Sequence, residues 1–285
     1  MQKLITPYAS DFGKPNIVIK HFPDTESYVQ ILKIENLKNQ KVTIYHRLFP
    51  EPDKRIFELL LILSRLKKVT KNVELFVPYL PYARQDRENK KGEAVSADVL
   101  CGLLKSYGVK KLITYDCHFL PRPGQFKRNG LNIENKSAGK QLMSYAKKYF
   151  GKENFVVIAP DEGSSYFTEN AQGYSLEKTR KESKATGIKT GIHAEIHKIE
   201  GEVEVNGKNV CILDDMISTG GTIIRAIEHL KARGAKKIIV GTVHGIFAGE
   251  KIAEKILNNN CDKLFTTNSI VSNDNSKLEI IKLTK

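Results

Sequence analysis

Short apolar runs recur along the chain, separated by stretches whose apolar residues fall at helical spacing. Ile17 to Ile19, the roughly alternating Tyr28 to Ile34, Val42 to Tyr45, Val73 to Val77, Leu112 to Tyr115, Phe155 to Ala159 and Val210 to Leu213 read as strands. The runs without alternation have the pattern of strands buried on both faces. Arg55 to Leu66 carries a broad apolar face at a spacing of three and four, and Ala97 to Tyr107 is a second helix closed by Gly108. Ile223, Ile224, Ile227 and Leu230 mark a third, and Gly234 stands where a helix ends in the left-handed conformation. Strand and helix in alternation predict an α/β fold of mainly parallel sheet flanked by helices.

The pattern also repeats. Leu104 to His118 reads LKSYGVKKLITYDCH, and Leu230 to His244 reads LKARGAKKIIVGTVH, at a constant offset of 126 (230 − 104). An Asn-Val pair opens a buried strand ahead of each, at Asn72-Val73 and Asn209-Val210. Asn72 lies 32 residues before Leu104 and Asn209 lies 21 before Leu230, so the first copy carries 11 more between strand and helix. The chain therefore reads as two copies of one α/β unit, residues 1–143 and 144–285.

Composition narrows the class. The 285 residues are 40% hydrophobic and 27% charged, enough for one large domain or two ordinary ones, each with its own core. No apolar run approaches the roughly 18 residues of a membrane span, and MQKLITPYAS lacks a signal-peptide core. Cys101, Cys117, Cys211 and Cys261 have no metal-ligand spacing and read as reduced thiols of a cytoplasmic protein. The net charge of +14 comes from lysines spread along the chain without a long basic tract. It suits a cleft for polyphosphates better than a nucleic-acid surface.

Candidate chemistry centres on Asn209 to Gly234: a buried strand, the carboxylates Asp214 and Asp215 in a turn, the loop Met216-Ile217-Ser218-Thr219-Gly220-Gly221-Thr222, then a helix. Gly220 and Gly221 let backbone N–H groups converge on a ligand, and the helix N-terminus points its donors into the loop. Ser218, Thr219 and Thr222 add hydroxyls, so the loop forms a phosphate pocket. Asp214 and Asp215 suit vicinal hydroxyls, or magnesium through water, which makes this a ribose-phosphate site. A plain strand-to-helix turn needs fewer such residues.

Three other strand ends carry chemistry. Pro78 to Arg87 (PYLPYARQDR) follows a strand, and its arginines can fork onto phosphates, although an exposed charged hairpin has the same appearance. In Tyr115-Asp116-Cys117-His118, Asp and His at i, i+2 share one side of an extended backbone and could orient a metal-bound water; a structural histidine is the alternative. Asp161 and Glu162 precede Gly163-Ser164-Ser165, a diphosphate or metal loop or simply an acidic turn. Leu176 to Gly191 (LEKTRKESKATGIKTG) reads as a solvated linker or as a flap carrying Lys178 and Arg180 to a ligand.

DDMISTGGT resembles the phosphoribosyl-diphosphate (PRPP) loop of type I phosphoribosyltransferases and PRPP synthases. Phe22-Pro23-Asp24-Thr25-Glu26, PYLPYARQDR, YDCH, APDEG and LEKTR resemble, in chain order, motifs of the PRPP synthases (ribose-phosphate diphosphokinases), with an archaeal-like character in Ser218 and LEKTR. The resemblance implies two tandem phosphoribosyltransferase-like domains and the reaction ATP plus ribose 5-phosphate to AMP plus PRPP. It implies Lys178 and Arg180 as catalytic, and Arg84, Gln85, Arg87 and His118 on ATP. Phe22, Asp24, Thr25 and Glu26 would reach the adenine from a neighbouring subunit of a homo-oligomer. Asp214, Asp215 and Ser218 to Thr222 would hold ribose 5-phosphate, and His118 with Asp161 would position Mg²⁺. A non-catalytic regulatory relative and a PRPP-consuming transferase are the alternatives. Thr25 replaces the family's glycine, Glu195 to Lys208 reads as an added hairpin turning at Asn206-Gly207, and the chain ends before the family's last helix. These departures bear on control and assembly more than on the chemistry.

Overall fold

A computed structural model describes residues 1–160, 162–168, 173–181, 195–200, 203–271 and 278–283. The chain divides into two compact units, Met1–Ser137 and Ala138–Lys285.

The first unit contains β1 (Gln2–Ile5), β2 (Ile17–His21), β3 (Ser27–Ile31), β4 (Val42–Tyr45), α1 (Pro52–Leu66), β5 (Val73–Phe76), α2 (Ser96–Ser106), β6 (Val109–Tyr115), β7 (Gly124–Arg128) and β8 (Leu131–Lys136). Six strands form one sheet in the order β1-β4-β5-β6-β8-β7. All its pairs are parallel except the β7–β8 hairpin. β2 and β3 form a separate antiparallel hairpin. Every residue of β4 is buried, as its unalternating sequence requires. α1 covers the sheet with Leu59, Ile62, Leu63 and Leu66, each almost fully buried and each stabilising by about 1.5–3 kcal/mol over exposure.

The second unit contains α3 (Gly139–Phe150), β9 (Phe155–Ala159), β10 (Gly173–Ser175), β11 (Glu177–Lys181), β12 (Glu195–Glu200), β13 (Asn209–Ile217), α4 (Gly221–Ala232), β14 (Lys237–Gly245), α5 (Ile252–Asn258), β15 (Lys263–Thr267) and β16 (Glu279–Ile281). Its main sheet, β10-β9-β13-β14-β15-β16, is parallel throughout. α4 buries Ile223, Ala226, Ile227 and Leu230 against it. The helix closes as its sequence foretells: Gly234 has φ +82°, its N–H donates to Lys231 O, and the Ala235 N–H donates to Leu230 O.

The internal repeat is structural. β5–α2–β6 and β13–α4–β14 are equivalent parallel strand–helix–strand units, and Gly108 (φ +94°) matches Gly234.

Two expectations need correction. Asp214 and Asp215 do not lie in a turn: β13 continues through them to Ile217, because β14 stays paired alongside as far as Gly245. Glu195 to Lys208 is not a hairpin closed at Asn206-Gly207. β12 pairs instead with β11, while Asn206-Gly207 turns directly into β13, with Gly207 N–H bonded to Gly234 O. The basic stretch that reads as linker or flap thus begins as a paired strand, and its residues 182–191 lie outside the described residues.

Candidate active site

In a parallel sheet, ligands bind beyond the carboxyl ends of the strands, where the winding reverses. In the second unit β10 lies on one side of β9, whereas β13, β14, β15 and β16 run out on the other. The reversal therefore falls between β9 and β13. The acidic stretch at Asp161 and the loop Ser218–Gly220 follow these two neighbouring strands. Asp161 itself lies outside the described residues.

The loop after β13 is held from below. Ile217 O accepts the N–H groups of Ile246 and Phe247, and Ser218 O accepts that of Ala248 at 3.0 Å. Gly220 has φ +78°, and a Cβ there would meet Ile252 Cγ2 at 3.1 Å and Ile256 Cδ1 at 3.3 Å. This glycine is required by backbone and by packing together. As N-cap of α4 it brings no side chain to the first-turn N–H groups, leaving that end set for an anion. Around Gly221 a Cβ would meet nothing within 4 Å. Thr219 is exposed, and Ser218 and Thr222 are half-buried. Asp214 and Asp215 are both buried, and the Asp215 N–H donates to Asp214 Oδ1 at 2.9 Å. Buried carboxylates beside an anion-ready loop separate acceptors for hydroxyls from donors for phosphate.

Lys178 and Arg180 lie on β11, opposite Ile199 and Ile196 of β12. The register shifts between Thr179 and Arg180, with His197 as the extra residue.

In the first unit the arm and the His118 segment leave adjacent strands. Pairing of β5 with β6 extends past their ends: Val77 N–H donates to Ile113 O, and Tyr115 N–H to Pro78 O. Tyr79, Leu80 and Ala83 are buried, which roots the arm in the core, while Arg84 and Arg87 are exposed. Tyr82 (φ +63°) donates its hydroxyl to Asp53, a bond that pushes its pKa up to about 12. Gln85 Oε1 accepts from Ser96 Oγ, and its carbonyl accepts from Ala97 N–H, so Gln85 ties the arm to the start of α2.

The extended-backbone reading of Asp116 and His118 does not hold. β6 ends at Tyr115, Asp116 turns to φ +35°, and Asp116 is buried while His118 is exposed. Cys117 N–H donates to Asn135 Oδ1, fixing this turn on β8. Imidazole and carboxylate therefore do not share one side. Among the described residues no three His, Cys, Asp or Glu side chains gather to hold a metal ion.

Phe22 to Glu26 form the tip of the β2–β3 hairpin. Phe22 N–H donates to Glu26 O, Thr25 N–H to Phe22 O, and Glu26 N–H to Asp24 Oδ1. Phe22 is half exposed, and its ring stands edge-on to Tyr28 at 6.2 Å. Thr25 has φ +75°, a conformation that glycine adopts without steric cost and a β-branched residue does not.

Sequence reasoning missed Arg128, at the end of β7. Its guanidinium donates to Asp98 Oδ1 and to Asp86 O and lies over the Phe119 ring. A largely polar edge strand carries no hydrophobic signal by which to find it.

Comparison with known proteins decides the family. Residues 9–108 match the N-terminal domain of ribose phosphate pyrophosphokinase, and residues 131–277 match the phosphoribosyl transferase domain. The ribose-phosphate pyrophosphokinase of Sulfurisphaera tokodaii is 33% identical over 276 residues, covering 94% of this chain and 89% of that protein. The chain belongs to the ribose-phosphate pyrophosphokinase family. The Thermococcus kodakarensis ribose-phosphate pyrophosphokinase is likewise 33% identical over 280 residues, covering 94% of this chain and 91% of its own. The crystal structure of phosphoribosylpyrophosphate synthetase from Mycobacterium smegmatis shares the fold, with a TM-score of 0.77 at 21% identity, over 99% of this chain and 95% of that one. The two α/β units expected from the repeat, and the tandem phosphoribosyltransferase-like architecture that the resemblance implies, are thus the family's own.

Proposed function

We infer that this chain is a ribose-phosphate diphosphokinase, transferring the β,γ-diphosphoryl group of ATP to the C1 hydroxyl of ribose 5-phosphate and releasing AMP and PRPP for nucleotide synthesis. The observation that carries the reading is the full-length likeness to ribose-phosphate pyrophosphokinases, combined with an anion-ready loop and two buried carboxylates at the winding reversal of the second sheet.

The 5-phosphate sits on the Ser218 to Thr222 loop, receiving the N–H groups of the α4 N-terminus and the three hydroxyls. Asp214 and Asp215 accept hydrogen bonds from the ribose hydroxyls, orienting C1. Arg84, Gln85, Arg87 and His118 hold the nucleotide, and the Phe22 to Glu26 tip of a second copy of the chain takes the adenine. The C1 hydroxyl oxygen bonds to the β-phosphorus as the bond from that phosphorus to the oxygen bridging the α-phosphorus breaks. The electron pair leaves with AMP, and the hydroxyl proton passes to solvent. Lys178 and Arg180 place two cations on the charge that develops. Catalysis of this kind is mostly positioning and charge neutralisation.

Magnesium takes one or two protein groups and fills its shell with water and phosphate oxygens. His118, exposed at the end of β6, would be one such group, and the resemblance gives Asp161, outside the described residues, as another; the ion would supply charge neutralisation on the phosphates. The four cysteines are buried, in keeping with reduced thiols and work in the cytoplasm, and no helix among the described residues is long and apolar enough to cross a membrane.

The test is turnover with MgCl₂, ATP and ribose 5-phosphate. AMP should appear only when the sugar phosphate is present, and Lys178→Ala should lower kcat by at least about 100-fold with little change in either KM. Nucleotide binding without turnover would instead favour a regulatory subunit.

A further inference from the structure

Arg128 sits where three segments of the first unit meet. Its Nε donates to Asp98 Oδ1 at 2.5 Å, and its Nη2 donates to the carbonyl oxygen of Asp86 at 2.5 Å. Its Cζ lies 4.4 Å from the centre of the Phe119 ring. Asp98 is in the first turn of α2, Asp86 stands between Gln85 and Arg87 in the arm, and Phe119 follows His118. The side chain is 20% exposed, so most of the guanidinium is occupied by these contacts. One residue, from a strand on the far edge of the sheet, thus holds the arm, α2 and the His118 turn together.

We propose that Arg128 is a positioning residue for nucleotide binding, fixing the arm that carries Arg84 and Arg87 relative to the turn that carries His118. The inference rests on reading those two segments as the ATP side of the site. The arm runs between Phe76 and Ser96 without a helix or strand, and both its arginines are exposed. Its exposed side chains must be ordered when a ligand binds, and each one immobilised then costs conformational entropy. An anchor already made in the free protein removes part of that cost. The contact set is specific to arginine: one planar group donates from two edges while its face stacks on an aromatic ring. A lysine ammonium can meet Asp98 but cannot reach Asp86 O and cover Phe119 at once.

The experiment measures dissociation constants for ATP and, separately, for ribose 5-phosphate by calorimetry, in the full chain and in Arg128→Ala, Arg128→Lys and Asp98→Asn. The proposal expects the constant for ATP to rise at least about tenfold in Arg128→Ala and by less in Arg128→Lys and Asp98→Asn, each of which keeps part of the contact set. The constant for ribose 5-phosphate should stay within about twofold, and the unfolding midpoint within a few degrees. An ATP constant unchanged in all three variants, or a parallel rise for both ligands with a lowered midpoint, would overturn it. If Arg128→Ala does not fold, the other two decide by the same criteria. Because binding is read without turnover, loss of the diphosphokinase reading is seen separately, as wild-type protein that binds ATP yet forms no AMP.

Discussion

Thr25 and His46 show what individual positions cost the fold. Thr25 is a β-branched residue at φ +75°, a conformation that disfavours any L side chain by about 1–2 kcal/mol. Thr25→Gly should therefore raise the unfolding midpoint of the first unit by about 2–6 °C in a thermal melt, and an unchanged or lower midpoint would mean that the hairpin tip is not under this strain. His46 is completely buried, with Nε2 3.0 Å from Arg55 O and Nδ1 3.1 Å from Thr6 Oγ1. Burial, outweighing the Arg55 carbonyl bond and the nearby Glu58 carboxylate, lowers its pKa to about 4 from an ordinary 6.5. Between those values the unfolded chain carries a proton that the folded one does not. The stability this residue contributes is thus complete above about pH 6.5 and is lost as pH falls to about 4, a change of about 3 kcal/mol. Urea melts of wild type and His46→Gln across pH 7 to 4 should differ in slope by close to one proton. Parallel profiles would count against a neutral His46.

At the scale of elements, the loop after β13 makes the sharpest prediction, because its two glycines serve different ends. Gly220→Ala forces a Cβ against Ile252 and Ile256 in a left-handed conformation, so it should lower stability by at least about 1 kcal/mol and weaken ribose 5-phosphate binding together. Gly221→Ala meets no protein atom within 4 Å and should fold as well as wild type, yet still raise KM for ribose 5-phosphate about tenfold if the ligand packs there. Equal KM values for Gly221→Ala and wild type would place the phosphate elsewhere. The elements legible in the sequence are those with strong apolar periodicity: β4, β5, β13, α1 and α4. The hairpin β7–β8 was not, because Gly124 to Arg128 is an exposed edge with mostly polar residues. Arg128 was hidden with it. The continuation of β13 through Asp214 and Asp215 was illegible for another reason: carboxylates read as turn residues until a partner strand, β14, is known to extend beside them.

For the molecule as a whole, repetition was the most informative signal. An offset of 126 residues between Leu104 and Leu230 foretold two equivalent sheets, and the difference in spacing foretold where they diverge. One copy keeps a short phosphate loop, and the other replaces it with a long arm rooted by Tyr79, Leu80 and Ala83. The proposed function puts the sugar phosphate on the short loop and the nucleotide on the arm, dividing the labour between duplicated units. The proposed reaction is transfer of a diphosphoryl group and not of a single phosphoryl group. The decisive measurement is the fate of a label at the β-phosphorus of ATP. With ribose 5-phosphate and MgCl₂ present, the account predicts that the label moves quantitatively into the sugar product while unlabelled AMP accumulates in equal amount. Label retained in ADP, with transfer of the γ-phosphate alone, would contradict it.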